Sequence, residues 1–413
     1  MSATERPPTE MQRLSVLIGV NLVDMIGLML VLPILPFYAG DLGASPERIG
    51  LLIAAFSVAQ LIAAPFWGRL SDRIGRRPVL VIGLSASAIA YVVFGFATTV
   101  WLLFVSRLVQ GAGGGTTGVT QAYVADTIRP KDRAKALGWL SASTNVGVTV
   151  GPIIGAFATQ IHRSAPGLIA AALCAINAWF AWRWLPESRP AQAADHRRER
   201  KPVWDAAWQV LRFPTRAVPR FVWIYGIGMF AFSSFTSLIA LFLMAEHGVT
   251  EGTIGYFFAY IGILNIIMRL VLLGPIVERV GETRAMRLGA AALILGLIGY
   301  PLAASIWQLV LVIPLVPVGT ALLFPATTSL MTRYSDKADI GTTMGVAQTY
   351  AGIARIAAPI LGTLLFQRLG HQWPFIAAAC MMALVSVLAF QVDQLPSPTG
   401  ETPVPVPATE KPL

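Results

Sequence analysis

Gly68-Arg69-Leu70-Ser71-Asp72-Arg73-Ile74-Gly75-Arg76-Arg77-Pro78 holds five charged residues in eleven and stands between two long apolar runs. A segment this polar cannot lie in lipid, so it marks a membrane surface between two spans. Its four arginines predict which surface, because basic connections stay on the cytoplasmic side.

The rest of the chain agrees with a membrane solvent. Of 413 residues, 55% are hydrophobic and only 13% charged, with a mean hydropathy of +0.65. Soluble domains carry roughly a quarter charged residues. The net charge of +10 does not point to nucleic acid, because the basic residues fall in connections between apolar runs. No cleavable leader is expected: residues 1–13 are polar, and the next apolar run exceeds a leader core of about 7–15 residues. Cys174 and Cys380 both lie inside apolar runs and read as packing residues, neither a disulfide nor a metal pair.

A bilayer core of about 30 Å needs about 20 apolar residues in a helix. Twelve such runs are predicted as spans 1–12: 14–38, 49–67, 79–97, 101–124, 137–160, 167–185, 221–244, 253–273, 286–304, 306–330, 341–366 and 373–391. They are long and continuous without alternation, which selects helices over strands. With both termini cytoplasmic, 25 of the 31 basic residues fall on the cytoplasmic side and only Arg48, Arg163 and Arg368 on the outer side. Arg107, Arg269 and Arg355 lie within spans.

The twelve runs divide as six and six. Residues 1–186 and 220–391 are expected to form two six-helix bundles, joined by a polar basic linker at 187–219. Residues 392–413, with six prolines, are expected to be a disordered tail. The halves echo each other. Gly68, Asp72, Arg73 and Gly75 line up with Gly274, Glu278, Arg279 and Gly281 at an offset of 206. Gly138, Pro152 and Gly155 line up with Gly345, Pro359 and Gly362 at 207, and Cys174 with Cys380 at 206. A constant offset indicates internal duplication, and two related bundles imply a cleft between them that opens alternately to either side.

At this point the motifs resemble the major facilitator superfamily. Gly68 to Arg77 is similar to the signature connection between its spans 2 and 3. Arg107-Leu108-Val109-Gln110-Gly111 resembles its span 4 motif. Gly147-Val148-Thr149-Val150-Gly151-Pro152-Ile153-Ile154-Gly155 resembles the span 5 motif of its antiporter branch. Leu22-Val23-Asp24-Met25-Ile26-Gly27, running on to Pro33 and Pro36, resembles the first span of twelve-span drug–proton antiporters, the tetracycline-efflux group above all. The resemblance implies an all-α membrane protein of twelve helices in two pseudo-symmetric bundles. It implies a bacterial inner-membrane exporter of small amphipathic compounds, driven by protons and needing no cofactor, metal or nucleic acid, that works as a monomer.

Each motif has a physical reading. Gly68 and Gly75 permit tight turns. Asp72 is suited to cap a neighbouring helix start, which the resemblance places in span 11. Arg73 and Arg76 complete the charged set, and Arg76 pairs in this reading with Asp126 as a conformational latch. The alternative is a topology signal alone. Gly147, Gly151 and Gly155 share one helix face, where small residues allow close packing. With Pro152, they are expected to line the contact between halves. The glycines at 111–115 are not a phosphate loop, since no Gly-Lys-Ser/Thr follows, and read as close helix packing.

Asp24 lies near the middle of span 1 and is expected to carry the proton, with Arg107 assisting by resemblance. A fixed salt bridge to Arg107 or Arg355 is the alternative. Arg269 reads as a residue whose stem reaches the near surface. Arg355, mid-span, reads either as a partner of Asp24 or as an anion site. Asn21, Gln60, Gln121, Asn145, Asn265 and Gln348 supply polar groups for a substrate cleft, and Phe232, Phe235, Tyr256, Tyr260 and Phe324 an aromatic wall. The sequence also departs from the tetracycline exporters. Ala90 stands at an acidic position of their span 3, no histidine lies in span 8, and no acid lies inside span 9. A neutral or anionic substrate is therefore as open as a cationic one. Rival readings are an importer of an organic anion or sugar-like solute, a lipid-modifying membrane protein, and a receptor without flux.

Overall fold

The structure, a computed structural model, describes residues 10–129, 132–188, 203–336 and 339–394. The described residues are helical throughout and contain no strand. Eleven helices are long and apolar enough to cross a membrane. The twelfth apolar run, span 4, is present but broken into Val100–Gly114 and Thr117–Thr127. The break follows from its glycines. Added Cβ atoms would come within 2.2 Å of the Phe56 carbonyl oxygen at Gly111 and 2.3 Å of Ser87 Oγ at Gly113, so spans 2 and 3 press against span 4 backbone to backbone. Trp67 Nε1 donates to the Ala112 carbonyl at 2.5 Å and Gln60 Nε2 to the Gly114 carbonyl at 3.2 Å. These side chains satisfy carbonyls that a continuous helix would have used, which is how an interrupted helix survives at membrane depth.

The charged stretch expected as a connecting loop is almost entirely helical. Span 2 covers Pro46–Ile74 and span 3 Arg76–Gly95, leaving Gly75 alone between them with φ of +101°. Its counterpart Gly281, with φ of +81°, sits alone between Val280 and Glu282. An L-residue with a side chain is strained there. The linker holds a helix of its own. Val203–Arg212 forms a helix, with Ala207 and Val210 buried and Trp208 69% exposed. Tyr350 of span 11 donates to the Ala207 carbonyl at 3.2 Å, and Trp223 of span 7 to the Val210 carbonyl at 3.3 Å. An apolar stripe at helical spacing inside a polar linker produces this docking. The start of the expected tail, Gln391–Gln394, is a 3-10 turn, and residues 395–413 lie outside the described residues.

Within the first bundle, span 1 packs on spans 5 and 6, and span 3 on spans 4 and 6. Within the second, span 9 packs on spans 10 and 12, and span 7 on spans 11 and 12. The bundles meet along span 2 with span 11 and span 5 with span 8. Those two seams are related by the duplication. A Cβ on Gly50 of span 2 would lie 2.0 Å from Thr363 Oγ1 and 2.7 Å from the Pro359 carbonyl of span 11. A Cβ on Gly255 of span 8 would lie 2.2 Å from the Ala156 side chain and 3.2 Å from the Pro152 carbonyl of span 5. Pro359 and Thr363 stand 207 residues after Pro152 and Ala156. All these contacts lie at the end of the molecule opposite the charged hairpin. At the hairpin end of the same four helices, added Cβ atoms on Gly68, Gly138, Gly274 and Gly345 would meet nothing within 4 Å. The cleft is thus shut at the far end and open at the hairpin end.

Candidate transport site

The hairpin end carries a duplicated polar device. Arg76, 6% exposed, bonds Asp126 Oδ2 of span 4 at 3.1 Å, Asp72 Oδ1 at 2.8 Å and Ser71 Oγ at 2.5 Å. Glu187, at the end of span 6, accepts from the Arg76 and Arg77 amides at 2.9 and 3.1 Å and so caps the start of span 3. In the second bundle Glu282 begins span 9 and bonds Arg333 of span 10 at 3.2 Å and Ser329 Oγ at 2.5 Å. Asp393, at the end of span 12, bonds Arg287 of span 9 at 2.7 Å. Residues 76, 126 and 187 correspond to 282, 333 and 393 at offsets of 206 and 207. The pair between span starts and ends is kept while its charges are exchanged.

Glu187 was not foreseen from sequence. A lone acid in a basic linker carries no signal unless the helix start it caps is known. Gly75 and Glu187 fit together, since a Cβ on Gly75 would stand 2.4 Å from Glu187 Oε2. Gly75→Ala is therefore expected to destabilise the protein by about 1–3 kcal/mol, through both the backbone strain and the displaced cap. Thermal unfolding in detergent checks this. Adding Glu187→Ala to that variant should cost much less than Glu187→Ala does in the native protein.

Asp24 opens on a narrow pocket between spans 1, 3 and 4, lined by Val20, Asn21, Leu80, Leu84, Thr116 and Thr120. No ion pair joins it to any described arginine, so the expected alternative of a fixed bridge to Arg107 or Arg355 is absent from this conformation. Arg107 is 1% exposed. It donates to Gln110 Oε1 at 2.7 Å and lies over the Phe56 ring at 4.7 Å. Its Nε and the Nε2 of Gln110 have no protein partner, and buried donors left over in this way are suited to ordered water. Tyr91 of span 3 is within electrostatic reach of both Asp24 and Arg107.

The span 5 glycines face elsewhere than expected. Gly147, Gly151 and Gly155 press on Met25, Ile26 and Leu30 of span 1 in their own bundle. The neighbouring face, with Thr149, the Pro152 carbonyl and Ala156, meets Gly262 and Gly255 of span 8. Four-residue spacing fixes a face but not the helix it meets.

Among the expected cleft residues, Arg269 Nη1 reaches Asn145 Oδ1 of the other bundle at 3.0 Å, instead of extending to the near surface alone. Gln348 donates to Tyr225 Oη at 3.4 Å, and Tyr225 and Phe232 both pack edge-on against Phe324, at 5.6 and 5.9 Å. Asn21 instead bonds Leu140, Ser143 and Thr144 of span 5, and Gln60 is used at the span 4 break. Asn265 bonds the Ile261 carbonyl of its own helix, and Gln121 is exposed. Phe235 is buried in the second bundle's core with Tyr300 and Phe375, and Tyr256 lines the far-end groove beside Gly255, so neither belongs to the cleft. Tyr260 packs toward span 10 through the Val310 carbonyl. Both cysteines are free, Cys174 buried against the Gly27 position and Cys380 exposed.

The shut far end carries its own charges. Arg163 pairs with Asp41 at 3.7 Å and lies over the Tyr38 ring, and Glu251, from the other bundle, lies within reach of both charges. Glu47 of span 2 pairs with Arg368 of span 11 at 3.4 Å. Burial and the Asp41 charge hold the Glu251 carboxyl above its ordinary value, against the pull of Arg163. The shut form therefore binds a proton at Glu251 more tightly than a solvated carboxyl does. Closure is strongest below the ordinary carboxylate range and weakens as pH rises through the shifted value. A distance reporter across the far ends of the bundles should show this opening with pH. Glu251→Gln should hold the end shut at every pH.

A two-bundle helical fold with a cleft shut at one end and open at the other is the architecture of a membrane transporter. The family model of the Major Facilitator Superfamily matches residues 17–358 and 271–413, and the chain belongs to that superfamily. It is 29% identical to the tetracycline resistance protein, class C, of Escherichia coli, over 87% of this chain and 91% of the relative. It is also 29% identical to multidrug resistance protein 1 of Bacillus subtilis, over 90% and 94%. The crystal structure of the nucleoside transporter NupG superposes with a TM-score of 0.75 at 14% identity, covering 91% of this chain and 99% of that one. That of the human organic anion transporter MFSD10 gives 0.69 at 22%, covering 93% and 100%.

Proposed function

We propose that the protein exports small amphipathic compounds in exchange for protons, with the charged hairpin end facing the cytoplasm of a bacterial cell. The reading rests above all on Asp24. It is the one acid among the described residues that sits in mid-span, it has no ion-pair partner among them, and it opens on a pocket beside Tyr91 and the Arg107 region. An ionisable group at this depth costs at least about 2.5–3.5 kcal/mol, which a purely structural residue has no reason to incur. The names of the sequence relatives favour export and drug-like cargo. The basic hairpin favours the cytoplasmic placement.

In the cycle, substrate leaves to the outside, and a proton entering from there neutralises Asp24. Closure of the Gly50 and Gly255 seams then gives the conformation described above, open to the cytoplasm. There the proton departs past Arg107 and Gln110, whose leftover donors are suited to ordered water, and new substrate enters. Protonation of Glu251 by the same external acidity helps the far end shut. The energy source is the proton gradient, with no cofactor, and a monomer holds every part. The test is flux in proteoliposomes under an imposed pH gradient. Substrate movement coupled to opposite proton movement is the expected result. Movement indifferent to the gradient overturns the reading.

A further inference from the structure

Arg355 is exposed, yet it forms no hydrogen bond or ion pair with any described residue. It does not point at lipid. Ile353 and Leu361, 52% and 47% exposed, mark the lipid face of span 11. Gln348, Gly352, Arg355 and Pro359 recur every three or four residues and share another stripe. That stripe faces the first bundle: the Gly352 position lies 3.4 Å from Leu61 of span 2, and the Pro359 carbonyl meets Gly50. Arg355 thus lies between two points of contact with the opposite bundle, on the wall of the cleft. Two stripe positions toward the open end, Gln348 bonds Tyr225, which packs against Phe324.

A second cation comes from span 8. Met268–Leu272 is a π-helical turn, the only one among the described residues, and it carries Arg269. Such turns re-aim a side chain by one extra residue and are frequent at functional sites. Here it places the guanidinium against Asn145, a neutral amide, across the halves. Asp24, the one mid-span acid described, opens instead on spans 3 and 4. The cleft therefore carries two arginines with no carboxylate to balance them. Embedded charges are normally paired, and a guanidinium is matched best by a planar or tetrahedral oxyanion.

From this we infer that the cleft takes amphipathic organic anions, compounds with one carboxylate or sulfonate and an aromatic body. The anionic group pairs with Arg355, Arg269 supplies a second positive charge, and the ring packs on the Phe232–Phe324 wall. A cation meets two like charges there and no acid, which excludes it. The inference names the cargo of the site in the export reading and rests on that site, though not on proton coupling. Under a negative-inside potential, anion export and proton entry both move charge in the favourable direction, so transport is electrogenic.

Binding to the purified full-length protein tests it without any gradient. The probes are naphthalene-2-sulfonate and the size-matched cation N-methylquinolinium, titrated by calorimetry. The sulfonate should bind and the quinolinium should bind at least tenfold more weakly. Arg355→Gln should weaken sulfonate binding at least tenfold, while Arg355→Lys retains part of it, and both variants should unfold at the native temperature. Failure of the sulfonate to bind at millimolar concentration overturns the inference. So does tighter quinolinium binding, or sulfonate binding indifferent to Arg355→Gln in a folded protein. Sulfonate binding without proton-coupled flux would sink the antiport reading alone.

Discussion

Asp24→Asn is expected to abolish gradient-driven accumulation while leaving exchange of substrate for substrate in place. One pH unit across the membrane is worth 1.36 kcal/mol per proton. With one proton per cycle and no potential, it sustains a roughly tenfold substrate gradient. Asparagine has the shape of the carboxyl but carries no titratable proton, so that gradient should collapse to none. Counterflow requires only that the loaded cleft reorient. It should persist, because Asp24 opens on spans 3 and 4 and not on the cleft, and the neutral amide places no charge in mid-span to oppose reorientation of the loaded protein. Proteoliposome uptake under a pH jump, followed by counterflow in the same vesicles, measures both. Loss of both with a folded protein would make Asp24 a structural residue. Retention of both would remove it from coupling. Arg107→Gln should fall between these, slowing proton release while preserving the final gradient. Its guanidinium orders the path but is not itself the carrier.

The span count, the division into halves and the constant offset were legible because hydropathy and glycine–proline spacing are one-dimensional signals. They survive without knowledge of which helix meets which. What was not legible depends on rotation about a helix axis. Phe235 and Phe324 both read as wall residues, but only Phe324 faces the aromatic group with Tyr225 and Phe232, and Phe235 is core. Gly147, Gly151 and Gly155 announced a packing face without saying that span 1, not span 8, fills it. The π-turn at Met268–Leu272 was invisible because no residue type marks it, and with it went the reach of Arg269 to Asn145. The hairpin was misread in the opposite sense. Its charge suggested a loop, but charge is compatible with helix ends that project beyond the bilayer. A single glycine with positive φ is all that reverses the chain.

The exchanged charges of the duplicated device make a sharp prediction about that hairpin. Arg76 and Asp126 hold span 3 to span 4, and Glu282 and Arg333 hold span 9 to span 10 with the signs reversed. The fold therefore accepts either polarity at this contact, provided the two members are opposite. Asp126→Arg sets two cations together and leaves Arg76, 6% exposed, without its partner on span 4. Stranding one member of a buried pair costs about 3–5 kcal/mol, and the lower figure applies because the Asp126 side chain is 29% exposed. Arg76→Glu should harm similarly, with added repulsion from Asp72. The double variant, Arg76→Glu with Asp126→Arg, recreates the arrangement already present in the second bundle. It should recover most of the lost stability and transport, giving a coupling energy of about 2 kcal/mol or more in a double-mutant cycle. The mirror pair, Glu282→Arg with Arg333→Glu, should behave alike. A hairpin that serves only as a topology signal predicts otherwise. Asp126→Arg adds a positive charge on the side that positive charge already favours, so on that view it is harmless, and the second substitution rescues nothing. Detergent unfolding and vesicle flux on the four proteins of the cycle decide between a mechanical contact and a sorting signal.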